Sequence, residues 1–170
     1  EYRPDSRSIV YRVDPASMKA TEVFRFADHL GAIVHDTSDE TLHAVSWGSR
    51  RLYAWKAGNE RAAPVRTANR SHYVDYQDCK YAGGHRMLCT GVTEMKQMPQ
   101  APPLRLGGIE NVDLARGQAV FQVPVLLWTA GGLAMTQNPV WLEEIATGLR
   151  GYFMPEDDTS TIYIYDVETN

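Results

Sequence analysis

A short strand-like phrase recurs four times along the chain, and this recurrence constrains the fold more than any other feature of the sequence. Each copy alternates its side chains over five or six positions and ends on a polar residue. The copies are Ile9–Asp14, Leu52–Lys56, Ile109–Asp113 and Ile162–Asp166. Their last residues lie 42, 57 and 53 positions apart, and four-stranded propeller blades repeat at about 40 to 50 residues. The repeat therefore predicts an all-β chain of β-propeller blades, each a four-stranded antiparallel meander. A single β-sandwich or up-and-down barrel of short strands is the alternative.

The segments that flank the phrase repeat as well. A further strand-like segment precedes three of the copies, and another follows two of them. They are Leu42–Trp47, Arg86–Val92 and Leu149–Met154 before the phrase, and Thr21–Phe26 and Ala119–Pro124 after it. The resulting order is strand, turn, strand, turn, strand, turn, strand. We expect little helix, because the helical candidate Trp141–Ala146 falls where a blade needs its first strand and is predicted as a strand.

The phase of the repeat predicts how the chain is divided. Residues 1–27 supply half a blade, 28–70 and 71–125 each supply a blade, and 126–170 supply an incomplete one. About three blades are too few to close a ring, because propellers typically have about four to eight. An open ring would also expose unpaired strand edges. We therefore expect a six-bladed ring completed by a complementary propeller fragment, such as a cleaved N-terminal half, or by a second copy of the chain.

The composition excludes two classes of partner. Hydrophobic residues make up 44% of the chain and charged residues 22%, as in ordinary globular proteins. The net charge is -4, and Lys and Arg do not cluster as they do in nucleic-acid-binding surfaces. The most apolar stretch, Val120–Leu133, is broken by Pro124 and Gly131 and is too short to span a bilayer. We predict a small-molecule ligand and neither a nucleic-acid nor a membrane partner.

Two cysteines, Cys79 and Cys89, flank a strand–turn–strand pattern whose turn is centred near Gly84. A hairpin there would place them almost opposite each other, close enough for a cross-strand disulfide. Two buried thiols are the alternative, because free cysteine is common in protein cores. A disulfide would favour a secreted protein.

Four segments carry a resemblance to known propellers. They are His72–Cys79, Leu126–Thr129, Met135–Pro139 and Tyr152–Asp158. The sequence of the predicted blades resembles the six-bladed propellers of the senescence-marker/strictosidine-synthase-like group. It is more closely similar to a microbial propeller family known as a domain of unknown function, of which the chain would be the C-terminal half. The resemblance covers essentially the whole chain and implies a fold but no activity; the chain departs from the six-bladed pattern in lacking the first blades.

Polar residues on the predicted first strands are the candidates for a functional site, because those strands line the central channel of a propeller. The first strands are predicted in Ile33–Asp36, Tyr73–Asp78 and Asn138–Glu144. The proposed catalytic residues are His35, Asp75 and Glu144. The proposed ligand-binding residues are His72, Gln77, Asn138 and Trp141. The proposed metal ligands are Asp36, Asp78 and Glu143.

Carboxylate, amide and imidazole groups suit one divalent ion, Ca²⁺, Mg²⁺ or Zn²⁺. Such an ion at the channel mouth could polarise a carbonyl or activate water. The sequence therefore favours a small-molecule enzyme of the hydrolase/lactonase or lyase/cyclase type. A non-catalytic propeller that binds a protein or ligand on the same face is the alternative, because polar channel residues can be simply solvated.

Overall fold

The computed structural model describes residues 5–95 and 99–168, and all thirteen regular elements in these residues are β-strands. The strands lie in four sheets. The first sheet holds β1 (Ser8–Asp14) and β2 (Lys19–Phe26). The second holds β3 (Leu30–Asp36), β4 (Thr41–Ser46), β5 (Arg51–Lys56) and β6 (Val65–Ala68). The third holds β7 (Asp75–Gly83), β8 (Arg86–Met95), β9 (Leu104–Asp113) and β10 (Gln118–Val125). The fourth holds β11 (Val140–Ile145), β12 (Gly148–Phe153) and β13 (Tyr163–Glu168).

Every sheet is an antiparallel meander in which each strand pairs with its neighbours in sequence. The first strands of the second and third sheets, β3 and β7, contact each other, as first strands do around the axis of a propeller. The prediction of an all-β chain of propeller blades is confirmed. The segment Trp141–Ala146 is a strand as predicted, since β11 covers most of it. No helix long and apolar enough to cross a membrane occurs in the described residues.

Apolar side chains fill the interfaces between the first three sheets. Phe24 of β2 packs with Tyr53 and Trp55 of β5, between the first and second sheets. Between the second and third sheets lies a buried cluster that includes Val45, Leu52, Tyr76, Met87 and Val112. This packing holds β3 beside β7 and brings the ends of the two strands together.

The turn between β7 and β8 is built from residues that adopt positive φ. Gly83, Gly84 and His85 have φ of 81°, 57° and 55°, and Gly83 pairs with Arg86 across the turn. Two central residues with positive φ form the tight hairpin whose twist matches that of the flanking strands. His85 therefore sits at the tip of the third sheet.

The hairpin joins Cys79 and Cys89 in a disulfide. The two cysteines face each other in the strand register, with their Cα atoms 4.1 Å apart, and both side chains are buried. Of the two states considered for these cysteines, the structure contains the disulfide.

Thr136, in the segment before β11, ties the fourth sheet to the third. Its buried hydroxyl donates to the carbonyl of Gly91 at 2.7 Å and accepts from the backbone N–H of Gly108 at 2.9 Å. The glycines allow this close approach, because a Cβ at Gly107 would overlap the Thr136 hydroxyl.

Candidate functional site

The three residues proposed as catalytic lie at different places. His35 is the second-last residue of β3 and is exposed, with its Nε2 3.2 Å from Oε2 of Glu40. Asp75 is exposed at the start of β7, and Glu144 is exposed on β11. Within the described residues no hydrogen bond or ion pair joins any two of these three side chains.

The four residues proposed to bind a ligand are also dispersed. His72 is half-buried, with Nδ1 3.1 Å from the carbonyl oxygen of Asn69. Gln77 occupies the register shift between Tyr76 and Asp78 in β7. Asn138 donates from Nδ2 to the carbonyl of Pro155 at 3.0 Å and to Asp157 at 2.9 Å. Trp141 lies on β11 with 55% of its surface exposed.

The three proposed metal ligands have separate partners. Asp78 forms an ion pair with Lys80, 2.9 Å from its Nζ. Glu143 accepts a hydrogen bond from the Tyr152 hydroxyl at 2.8 Å. Asp36 is fully buried and contacts neither of them in the described part of the chain, but the structure surrounds it with other metal-ligating groups.

Asp36, Asp39 and His85 form a compact group that we call the β3-end cluster. The potential ligand atoms of the three residues all lie within 4.8 Å of one another. Oδ2 of Asp36 is 2.8 Å from Nδ1 of His85. Asp39 and His85 are both exposed, so the cluster opens to solvent on one side and is anchored by a buried carboxylate on the other.

Hydrogen bonds hold the Asp36 side chain in place. Oδ1 accepts from the backbone N–H of Ser38 at 3.0 Å and from its hydroxyl at 2.5 Å. Burial by itself raises the pKa of Asp36, but the hydrogen bonds from Ser38, Tyr81 and His85 outweigh burial and hold the pKa well below its usual range. Asp36 is therefore a carboxylate at neutral pH, the form that binds cations.

The cluster does not form a nucleophilic triad with Ser38, although serine, histidine and aspartate meet there. In such a triad the serine and the carboxylate bind different imidazole nitrogens. Here Ser38 Oγ lies 3.3 Å from Nδ1 of His85, the same nitrogen that faces Asp36. Two carboxylates and an imidazole instead supply three potential metal ligands, the number of protein ligands in a catalytic zinc site.

Sequence reasoning found Asp36 and missed Asp39 and His85. Asp39 follows β3 in an exposed turn, and His85 is 49 residues after Asp36, at the tip of the next sheet. A local signal existed, because Asp36, Ser38 and Asp39 form a dense polar turn at a strand end. The position of His85 beside Asp36 depends on how the second and third sheets pack.

A second buried carboxylate, Glu110 of β9, offers no comparable opening. It accepts hydrogen bonds from the Tyr76 hydroxyl, the backbone N–H of Tyr73 and the side chain of Gln122, the last at 2.8 Å. Burial, and then the hydrogen bond to Glu110, raise the pKa of Tyr76 well above its usual range. Glu110 is thus bound by protein donors within the packed interior and joins β9 to β7.

Comparison with known proteins places the chain in a family. The model of a family of unknown function (DUF6454) matches residues 1–169, so the chain belongs to that family. This agrees with the predicted likeness to a domain of unknown function, whereas the likeness to the senescence-marker/strictosidine-synthase-like group stays a prediction. No curated protein matches the sequence.

Several solved structures are similar to the chain at low sequence identity. The soluble aldose sugar dehydrogenase of Escherichia coli in its apo form is 10% identical with a TM-score of 0.47, over 91% of this chain and 42% of that one. The β-propeller domain of Cps50 (Swd1) from Myceliophteria thermophila is 8% identical with a TM-score of 0.36, over 97% and 66%. Hydrazine synthase of Kuenenia stuttgartiensis is 10% identical with a TM-score of 0.39, over 95% and 57%. The chain thus spans less than two thirds of each of these proteins.

Proposed function

We propose that this member of the DUF6454 family binds one divalent cation at the β3-end cluster and uses it to hydrolyse a small molecule. The observation that carries the proposal is the fully buried Asp36 carboxylate, 2.8 Å from the exposed His85 imidazole and next to Asp39. A buried carboxylate with an imidazole and a second carboxylate within ligand distance is well suited to hold an ion.

The ligand types favour Zn²⁺ over Ca²⁺ or Mg²⁺. The harder ions prefer oxygen ligands, with six or more for Ca²⁺ and an octahedral set for Mg²⁺. An imidazole with carboxylates suits Zn²⁺. Three protein ligands at a solvent-facing site leave room for a substrate or a water molecule.

The chemistry that fits such an ion is attack of water on an ester or lactone. A bound divalent ion polarises a carbonyl and makes water more acidic. His35, the residue before Asp36 on β3, is the candidate general base, and its exposed ring is oriented by Glu40 at 3.2 Å. Asp75 and Glu144 play no part in this proposal, since they lie elsewhere on the blades.

Zinc titration of the purified protein by calorimetry tests the binding step. We expect one site in the wild type, and loss of binding in His85→Ala, an exposed position whose change should leave the fold intact. Asp158→Asn, which removes an exposed acid from a turn, is the matched control and should bind as the wild type does. The proposal fails if the wild type binds no zinc or if His85→Ala binds it equally well.

An activity assay on a panel of esters and lactones tests the chemical step, with hydrolysis measured as the release of protons. We expect zinc-dependent hydrolysis that is lost in His85→Ala and reduced by about two to four orders of magnitude in His35→Ala, the range typical of general-base catalysis. The assignment would be contradicted if the rate of hydrolysis did not depend on zinc, or if both variants hydrolysed the substrates as fast as the wild type.

A non-catalytic propeller is the second candidate, and one observation favours it. The Asp36–His85 contact joins two neighbouring blades, so an ion there could act only by holding them together. In that case zinc would raise the melting temperature without supporting turnover.

We also propose that a complementary propeller segment or a second copy of the chain completes the ring, and that the protein works in an oxidising compartment. The two-stranded first sheet and the three-stranded fourth sheet support the former. The Cys79–Cys89 disulfide supports the latter, since disulfides persist mainly in secreted or otherwise oxidising settings.

A further inference from the structure

A small cavity lies between the third and fourth sheets, and none of the three residues of the β3-end cluster lines it. We call it the β8–β11 cavity. Its walls come mainly from β7, β8 and β11. The residues that matter here are Asp78, Lys80, Leu88, Thr90, Trp141 and Leu142.

The size of the cavity limits what it can hold. Its volume is about 150 Å³, close to that of an engineered protein cavity that binds benzene. The cavity is partly open to solvent, so one six-membered ring fits with its substituents at the opening, whereas a nucleotide or a peptide does not fit.

An unpartnered hydroxyl is buried at this cavity. Thr90 is 3% exposed, and its Oγ1 has no hydrogen-bond partner in the described structure. Buried polar groups are nearly always hydrogen-bonded, and one without a partner is unfavourable. A ligand hydroxyl would satisfy it, whereas a purely apolar ligand would not.

One wall of the cavity carries two opposite charges that cancel. Lys80 and Asp78 form an ion pair at 2.9 Å, and both remain partly exposed. The pair offers donors and an acceptor side by side, so it suits neutral groups that both donate and accept, such as hydroxyls. A bound anion or cation would have to compete with the existing partner.

The opposite wall offers an aromatic surface. Trp141 is 55% exposed, and the Lys80 ammonium lies 5.8 Å from the centre of its ring. An indole at the edge of a pocket combines a large apolar face with neighbouring polar groups. Because the Lys80 ammonium lies over the indole, a saturated ring can stack its apolar C–H face on the part of the indole beside the ammonium, with its hydroxyls near Thr90 and Lys80.

We propose that the β8–β11 cavity binds a neutral, polyhydroxylated six-membered ring of monosaccharide size. Trp141 contacts one face of the ring, Thr90 takes one hydroxyl, and the Lys80–Asp78 pair takes others. The cavity shares no residue with the β3-end cluster, although Tyr81, which lines the cavity, also donates its hydroxyl to Ser38 beside that cluster. It uses Trp141, predicted as a ligand-binding residue, and gives Asp78 the role of a hydrogen-bond acceptor.

Saturation-transfer NMR titration of the purified protein with glucose, cyclohexanol and glucuronate tests this proposal. Glucose should bind, and cyclohexanol and glucuronate should bind more weakly, because the first lacks most hydroxyls and the second is charged. Cyclohexanol or glucuronate binding as tightly as glucose would overturn the assigned ligand class, and a failure of glucose to bind would overturn the site.

Variants locate the binding. Trp141→Ala should weaken glucose binding about tenfold or more through loss of the stacking surface. Thr90→Val, which keeps the shape and removes the hydroxyl, should weaken glucose binding. Trp47→Ala, a tryptophan outside the cavity with 38% exposure, is the control and should bind glucose as the wild type does. Unchanged affinity in Trp141→Ala, or an equal loss in Trp47→Ala, would refute the assignment.

Discussion

At the scale of single residues, the buried carboxylate of Asp36 is stabilised, within the residues that the structure describes, by hydrogen bonds and not by a lysine or arginine. It is fully buried, and its oxygens are taken by Ser38 and His85. Charge-assisted hydrogen bonds of this kind offset the cost of removing a carboxylate from water. They also fix the direction of the oxygens, which is what a cation site requires.

His43 of β4 is a residue whose burial makes stability depend on pH. Burial lowers its pKa, and although Asp36 and Asp39 act in the opposite direction, they do not cancel this effect. The folded state therefore binds fewer protons at this site than the unfolded chain, where a histidine has its ordinary pKa of about 6.5. The stability linked to His43 is complete above that pH and is lost as the pH falls through it towards the folded pKa.

Thermal unfolding monitored by circular dichroism tests this. When the pH is lowered from about 7.5 to about 5.5, the melting temperature of the wild type should fall by more than that of His43→Gln. Parallel pH profiles for the two proteins would show that His43 does not carry the effect.

At the scale of strands, close backbone approach in the third sheet depends on glycine. Gly91 of β8 faces Tyr76 beside the register shift in β7, and a Cβ at Gly91 would overlap the carbonyl oxygen of Asp75. The same glycine gives its carbonyl to Thr136 at 2.7 Å. The absence of a Cβ at Gly91 thus permits the close approach to β7, and the backbone carbonyl of Gly91 makes the contact with the next blade.

Gly91→Ala should destabilise the protein by about 1 to 3 kcal/mol, as expected when an atom is forced into a packed interior. Urea unfolding measures the change. Gly131→Ala is the control, because the nearest atom to its added Cβ, Thr129 Oγ1, lies at an ordinary 3.6 Å. Equal stability of the two variants would contradict the steric account.

At the scale of the whole molecule, the first and fourth sheets have fewer strands than the other two. In the part of the chain that the structure describes, the first sheet has two strands and the fourth has three, with β13 at its outer edge, whereas the second and third sheets have four. β13 also exposes Ile164 and Val167. Unpaired edges with exposed apolar side chains favour pairing with another chain.

Light scattering of the purified protein should therefore give a mass above the 19.1 kDa of one copy. The additional mass would come from a second copy or from a complementary segment that purifies with the chain. Ile164→Lys, which places a charge on the open strand, should reduce the association. Val65→Lys on β6, the outer strand of a four-stranded sheet where Val65 is 69% exposed, should not. A monomeric wild type would count against ring completion by another chain.

The strand pattern could be predicted from the sequence because its causes are local. Alternating side chains and turn residues such as Gly83 and Gly84 act over a few positions, so the meander and the β7–β8 hairpin were predictable. The candidate residues of the site were harder to group. His35 and Asp75 both lie on first strands, yet at opposite ends of β3 and β7, and alternation along a strand does not reveal which end of one strand meets which part of the next.

What the sequence determined by itself is therefore the succession of short antiparallel strands and the hairpin that places Cys79 opposite Cys89, since both depend on neighbours close in the chain. Only the tertiary structure decided that Asp36 meets His85, 49 residues away, and that Thr90 and Trp141 share a cavity. The physical reason is that these contacts form where one sheet packs on another, and the angle and offset of that packing are set by buried side chains distributed over both sheets.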